Sequence, residues 1–79
     1  MEQARRPRAV RIVRWTTWKC GRLERRILDA ILAYLSRHPR AEWVPLETVM
    51  AELRDERPSE VRDAMRRLVR RRILEVRYG

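Results

Sequence analysis

Residues 43–79, WVPLETVMAELRDERPSEVRDAMRRLVRRRILEVRYG, carry the pattern on which the expected fold depends. Two short runs share the i, i+3, i+4, i+7 spacing that places apolar side chains on one face of an α-helix. The ERPS sequence breaks the pattern between them, and its Ser59 is a residue type favoured at helix N-caps. The runs are Leu46, Val49, Met50 and Leu53, then Val61, Ala64, Met65 and Leu68. They predict helices over residues 46–54 and 59–71, followed by a β-prone strand over residues 73–78.

Two further elements are predicted upstream. Residues 22–37, RLERRILDAILAYLSR, have a broad apolar stripe typical of a helix that packs against two others, and Pro39 ends it. Residues 9–18, AVRIVRWTTW, are β-branched and aromatic and predict a strand covered on one side. Residues 1–8 are polar and basic and predict a flexible arm. One domain is therefore expected over residues 9–79.

Residues 43–79 resemble the winged helix-turn-helix family. The resemblance is carried by two short helices, by the four- or five-residue turn that joins them and by the strand that follows directly. The resemblance implies that a helix and a short strand precede the turn motif, and Trp43 and Val44 are placed to form that strand. It also implies that the third helix enters the major groove of DNA. The expected fold class is mainly α with a small β-sheet. A plain three-helix domain without a sheet, similar to a homeodomain, is the alternative.

The sequence departs from the family where the wing hairpin would turn, because Gly79 ends the chain there. A lone edge strand exposes unpaired backbone groups, so residues 73–78 need a neighbour. The only other long β-prone segment is residues 9–18. We predict that the two segments pair, either within one chain or across a homodimer.

Composition excludes several classes of protein. The chain has 79 residues with one cysteine and one histidine, so neither a disulfide nor a four-ligand zinc site is available within it. No apolar run reaches the ~20 residues of a membrane span, and the N-terminus lacks a secretory signal. We expect a cytoplasmic protein, nucleoid-associated if it binds DNA, with no membrane partner. Arginine supplies all but one of the basic residues and amides are scarce, which fits a thermophile or a GC-rich genome.

Catalysis finds no support in the sequence. It has no glycine-rich phosphate loop, no nucleophile beside a base and no pair of carboxylates in an apolar setting. A pocket large enough for a substrate would also occupy most of the volume of so small a core. We expect no enzyme activity, no cofactor and no small-molecule substrate.

The charge distribution favours a polyanionic partner. The formal net charge is +9, and such a field attracts nucleic acid. Residues 64–79 are strongly basic, whereas residues 42–63 are acidic. Glu60 and Asp63 fall where a third helix would read bases. Their carboxylates either accept a hydrogen bond from cytosine N4 or stabilise the helix through its dipole. In the second case Asp63 also pairs with Arg67, four residues on.

Arginines on the third helix form the candidate binding surface. Arg62, Arg66 and Arg70 share a helical stripe, and the planar guanidinium fork suits phosphate. Basic residues in the arm resemble minor-groove tails. The alternatives are a solvated face and a merely solubilising terminus. The candidate nucleic-acid-binding residues are Arg5, Arg6, Arg8, Arg62, Arg66, Arg67, Arg70, Arg71 and Arg77.

Three tryptophans are predicted mainly as core residues, because large aromatic side chains dominate the cores of small domains. Trp15 and Trp18 would point to opposite faces of a strand, so one of them is a candidate exposed anchor. The alternative for Trp15, Trp18 and Trp43 is stacking on bases of a single strand.

The leading functional hypothesis is a double-stranded DNA-binding protein, either a small transcriptional regulator or a genome-architectural factor. The first alternative is a protein–protein interaction module. Its partner would add a strand to residues 73–78 or dock basic side chains on Glu47, Glu52 and Glu56. RNA or ribosome association is the third possibility, because a basic patch does not distinguish the two nucleic acids.

Overall fold

A computed structural model describes residues 6–79. Within them the fold is mainly α with a small antiparallel sheet, in a winged-helix-like layout, as predicted. No helix in this part of the chain is long and apolar enough to cross a lipid bilayer. The elements are β1 (Pro7–Ile12), α1 (Arg22–Arg37), β2 (Val44–Pro45), α2 (Leu46–Glu52), α3 (Pro58–Arg70) and β3 (Leu74–Tyr78).

The N-terminal strand is the centre of the sheet, whose order is β2-β1-β3. Val10 of β1 lies opposite Val44 of β2 on one side and Val76 of β3 on the other, both antiparallel. The predicted pairing of the two terminal segments is therefore confirmed, and it occurs within one chain. Both edges of β1 are occupied, so β1 has no free edge for a second copy of the protein. In effect β1 provides the neighbour that the second strand of a wing hairpin would provide.

The predicted strand over residues 9–18 is wrong at both ends. Pro7 and Arg8 belong to β1 and not to a flexible arm, while residues 1–5 of that arm lie outside the described residues. Residues 13–21 form a loop, because β3 begins at Leu74, which lies opposite Ile12. Beyond Ile12, the main-chain N–H groups of Val13 and Arg14 share the carbonyl of Ile73, at 2.9 and 3.4 Å. The ladder ends there.

The helix bounds agree with the periodicity to within one or two residues. α1 spans the predicted residues, α2 ends at Glu52 and not at residue 54, and α3 is displaced by one residue at each end. Ser59 is not the N-cap of α3, which is Arg57. Pro58 occupies the first turn, where its fixed φ and missing N–H are tolerated.

A tight turn joins α3 directly to β3. Arg72 adopts a left-handed conformation with φ of 60°. The N–H of Arg72 donates to the carbonyl of Val69, and the N–H of Ile73 donates to that of Leu68, both at 3.0 Å. These are the two hydrogen bonds of a Schellman motif, which ends a helix and reverses the chain. The turn fixes β3 beside the C-terminal end of α3.

The core lies between the inner face of the sheet and the helices. Its fully buried side chains are Val10, Ile27, Leu28, Ile31, Val44, Val49, Val61, Leu68 and Ile73. The tryptophans are absent from it, which corrects the prediction: Trp15 and Trp18 are exposed in the loop after β1. Trp43 is half-buried on the outer face of the sheet, between the guanidinium groups of Arg11 at 4.9 Å and Arg77 at 5.6 Å.

An ion-pair network ties the start of α1 to the turn between α2 and α3. The Glu56 carboxylate accepts hydrogen bonds from Arg22 at 2.6 Å and from Arg26 at 2.7 Å, and Arg26 also donates to Asp55 at 2.9 Å. These bonds from Arg22 and Arg26 hold the pKa of Glu56 at about 2, below its ordinary 4.5. The network fixes the angle at which α3 leaves the turn.

We expect Glu56 to make stability depend on pH. Because its folded pKa is lower than its unfolded pKa, its contribution is fully present above pH 4.5 and is lost as the pH falls towards about 2. Glu56→Gln should therefore lower the thermal midpoint at pH 7, and the gap from wild type should close near pH 2. Thermal unfolding followed by circular dichroism checks this. The exposed Glu47→Gln is the control, and a gap for Glu56→Gln that stayed constant with pH would contradict the assignment.

Candidate nucleic-acid interface

The exposed face of α3 borders an apolar groove. Arg62, Arg66 and Arg70 lie one turn apart, as predicted, and all three line this concavity of about 520 Å³. Its floor and far wall come from α2, from inward residues of α3 and from the free end of the sheet. These are Leu46, Met50, Met65, Val69, Val76, Pro7 and Tyr78. The groove therefore has an apolar floor and a row of cations along one rim.

A second concavity lies on the other side of Arg70. It measures about 450 Å³ and joins the C-terminal half of α3 to the loop before α1. Arg70 lines both concavities, so the two adjoin along the helix. The residues lining the second one are Trp18, Lys19, Glu24, Arg67, Arg70 and Arg71. Arg70 therefore lies where the two grooves meet, with Arg62 and Arg66 on the first and Arg67 on the second.

The α3 arginines differ in how much of their charge is already paired. Arg62 and Arg70 are exposed and form no ion pair with any carboxylate of residues 6–79. Arg66 bonds Asp63 at 2.8 Å, but both side chains are exposed, and such surface pairs are worth only ~0–1 kcal/mol. A phosphate can therefore compete for Arg66.

The predicted pair between Asp63 and Arg67 is wrong. Asp63 bonds Arg66 instead, at 2.8 Å, whereas the Nε of Arg67 lies 3.8 Å from the Glu24 carboxylate. Arg67 stands on the side of α3 that faces α1, where Glu24 is buried and accepts the Gly21 N–H at 2.8 Å. Glu24 belongs to α1, so the residue spacing within α3 gave no sign that its carboxylate would compete with Asp63 for Arg67.

Arg71 forms hydrogen bonds to the loop before α1 and does not extend the exposed row of α3 arginines. Its Nη2 donates to the Trp18 carbonyl at 2.7 Å, and its Nη1 approaches the Lys19 carbonyl at 3.4 Å and the Cys20 Sγ at 3.5 Å. It is a positioning residue for Trp18, which the sequence offered only as an alternative stacking residue, and for Lys19, which the sequence did not assign to the site. One signal was available: the only lysine of the chain directly follows an aromatic residue.

The remaining candidates lie elsewhere. Arg77 is on the opposite side of β3 from Val76 and Tyr78, and its guanidinium faces Trp43, so it does not join the α3 surface. Arg6 and Arg8 are exposed and flank Pro7, which lines the end of the first groove. Arg5 lies outside the described residues.

Part of the acidic segment over residues 42–63 is paired with arginines inside the molecule. Glu42 bonds Arg11 at 3.1 Å, and Asp55 and Glu56 are held by the network described above. The Glu56 side chain is only 11% exposed, so it is not available to an external basic partner. The repulsion that this segment would exert on a phosphate backbone is therefore weaker than its formal charge indicates.

Comparison of the chain with protein-family models, with curated proteins and with solved structures gave no match.

Proposed function

We propose that this protein binds double-stranded DNA through the exposed face of α3, as a small transcriptional regulator or a genome-architectural factor of the winged-helix type. The observation that carries the proposal is the pair of exposed arginines on α3, Arg62 and Arg70, which form no ion pair among the described residues and stand beside two grooves. In a protein of net charge +9 this surface attracts polyanions.

The dimensions of α3 support contact with a duplex. An α-helix with its side chains is about 10–12 Å across, close to the ~12 Å width of the major groove. Guanidinium groups spaced one turn apart along it can each donate two hydrogen bonds to phosphate oxygens. Of the four exposed residues at positions 59, 60, 62 and 63, near the start of α3, two are carboxylates, Glu60 and Asp63, and an ionised carboxylate donates no hydrogen bond to a base edge. This composition favours backbone contacts over sequence reading, and hence an architectural role or modest specificity. The protein would act in the cytoplasm, on the nucleoid, without catalysis.

The salt dependence of binding tests the proposal. The three arginines of α3 that line the first groove (Arg62, Arg66 and Arg70) should neutralise about three phosphates, which gives a slope of log affinity against log salt of about −3. Fluorescence anisotropy with a labelled duplex at several salt concentrations measures this slope. Single-stranded DNA and RNA of the same sequence serve as comparison ligands. An affinity for duplex that ignored salt would contradict the proposal, and a preference for RNA would move it to RNA or ribosome association.

The position of β3 favours a second candidate, a protein-interaction module. Among residues 6–79, β3 forms an edge of the sheet, because β1 is the only strand beside it there. Such an edge can accept a strand from a partner or from a second copy of the protein. Absence of duplex binding at low salt, together with rapid hydrogen exchange along β3 in the isolated protein, would select this alternative.

A further inference from the structure

Trp18 is the most exposed large apolar side chain among the described residues, at 70%. It stands in the loop between β1 and α1, on the rim of the second groove. An aromatic ring left in water within so small a protein forgoes the burial that would stabilise the core. Neither the fold nor the phosphate-binding arginines of α3 account for its position.

The loop fixes Trp18 in place. The main-chain N–H of Trp18 donates to the Thr16 hydroxyl at 3.1 Å, and that of Cys20 donates to the Thr17 carbonyl at 3.0 Å. Lys19 takes a left-handed conformation with φ of 56°, which is unfavourable for a residue with a side chain. Arg71 holds this turn by donating to the Trp18 carbonyl at 2.7 Å. Backbone that is held in an unfavourable conformation by surrounding contacts is found most often at functional sites.

Cations lie close to the Trp18 ring. The Lys19 Nζ lies 4.6 Å from the centre of the Trp18 ring. Arg67, Arg70 and Arg71 line the same concavity of about 450 Å³. An aromatic face beside several cations matches the two halves of a nucleotide, a flat base and a phosphate. Bases inside a duplex are stacked on one another and offer no free face, so the matching ligand is a nucleotide whose base is unpaired.

We propose that Trp18 is a stacking platform for an unpaired nucleotide next to the duplex that α3 binds. Lys19, Arg67 and Arg70 contact the phosphates of that nucleotide, and Arg71 keeps the platform in position. This inference rests on the proposed function. It adds a ligand class, DNA with a single-stranded tail, to the duplex. Arg70 connects the two, because it lines both grooves.

The test compares two DNAs, a blunt duplex and the same duplex with a short single-stranded thymidine tail. Wild-type protein should bind the tailed DNA about 5- to 150-fold more tightly, the gain expected from one stacked base. Trp18→Ala should lose this gain and keep the affinity for blunt duplex, whereas Trp18→Tyr should restore most of it. Anisotropy gives the affinities. Because Trp18 is exposed, the thermal midpoint of each variant should match that of wild type.

Trp15→Ala is the matched control, since Trp15 belongs to the same loop and is 54% exposed but does not line the groove. It should retain the gain from the tail. Binding to blunt duplex with no gain from the tail, or a gain that survives in Trp18→Ala, would overturn the platform and leave the proposed function standing. Failure of wild-type protein to bind blunt duplex would overturn the proposed function itself.

Discussion

Arg62→Glu combined with Arg70→Glu should weaken binding to duplex DNA by at least about 100-fold at low salt. A hydrogen bond to a charged group contributes ~1.5–3 kcal/mol, so two lost phosphate contacts amount to ~3 kcal/mol or more, and each 1.4 kcal/mol is tenfold. These two arginines are chosen because their charges are unpaired among residues 6–79, unlike that of Arg66. The slope of log affinity against log salt should become less steep by about 2. Anisotropy titrations at three salt concentrations measure both effects.

The matched control is Arg37→Glu with Arg40→Glu. These residues are also exposed, and they lie together beside His38 and Pro39, in a concavity that contains no residue of α3. The double change removes the same net charge, so it separates the α3 surface from a general effect of basicity. Equal losses of affinity in the two double variants would show that binding is non-localised and would contradict the interface.

Val10→Asp should abolish cooperative folding at neutral pH. Val10 is completely buried at the centre of the sheet, opposite Val44 and Val76. An unpaired carboxylate there carries a desolvation penalty of several kcal/mol, whereas a domain of this size has only ~3–5 kcal/mol of net stability. Circular dichroism should show loss of helix and no thermal transition.

Val13→Asp makes the same chemical change three residues along the chain, where the side chain is 50% exposed. It should leave the thermal midpoint nearly unchanged, because exposed substitutions usually alter stability by no more than ~0.5 kcal/mol. A folded Val10→Asp protein with a midpoint near that of Val13→Asp would show that β1 is not part of the core sheet.

The helices could be predicted from the sequence because their signal is local. Apolar residues three and four apart share a helix face, whatever the face packs against, so the periodicity gave α1 over residues 22–37, as observed. The pairing of the terminal segments was also predictable, since residues 73–78 required a strand partner and one β-prone segment remained. The length of β1 was not predictable. It depends on where β3 begins, which is a property of the turn at Arg72.

The candidate site was predicted only in part. The stripe of Arg62, Arg66 and Arg70 follows from helical geometry alone, and the structure places all three on one groove. Arg71 and Arg77 have the same chemistry and lie close in sequence, yet one braces a loop and the other faces Trp43 on the outer side of the sheet. Which partner an arginine finds depends on groups brought in from distant parts of the chain.

Three features followed from the amino-acid pattern alone: the course of the helices, the pairing of residues 73–78 with the N-terminal β-prone segment, and the row of cations on α3. Those features depend on spacing along one element or on composition. Two features depend on the packing of distant segments: the tryptophans lie outside the core, and Trp18 lies near Lys19 and the arginines of α3. The reason is physical: aliphatic side chains from the sheet and helices already fill the small interior. Trp15 and Trp18 are left at the surface, where the position of the loop beside α3 sets the neighbours of Trp18.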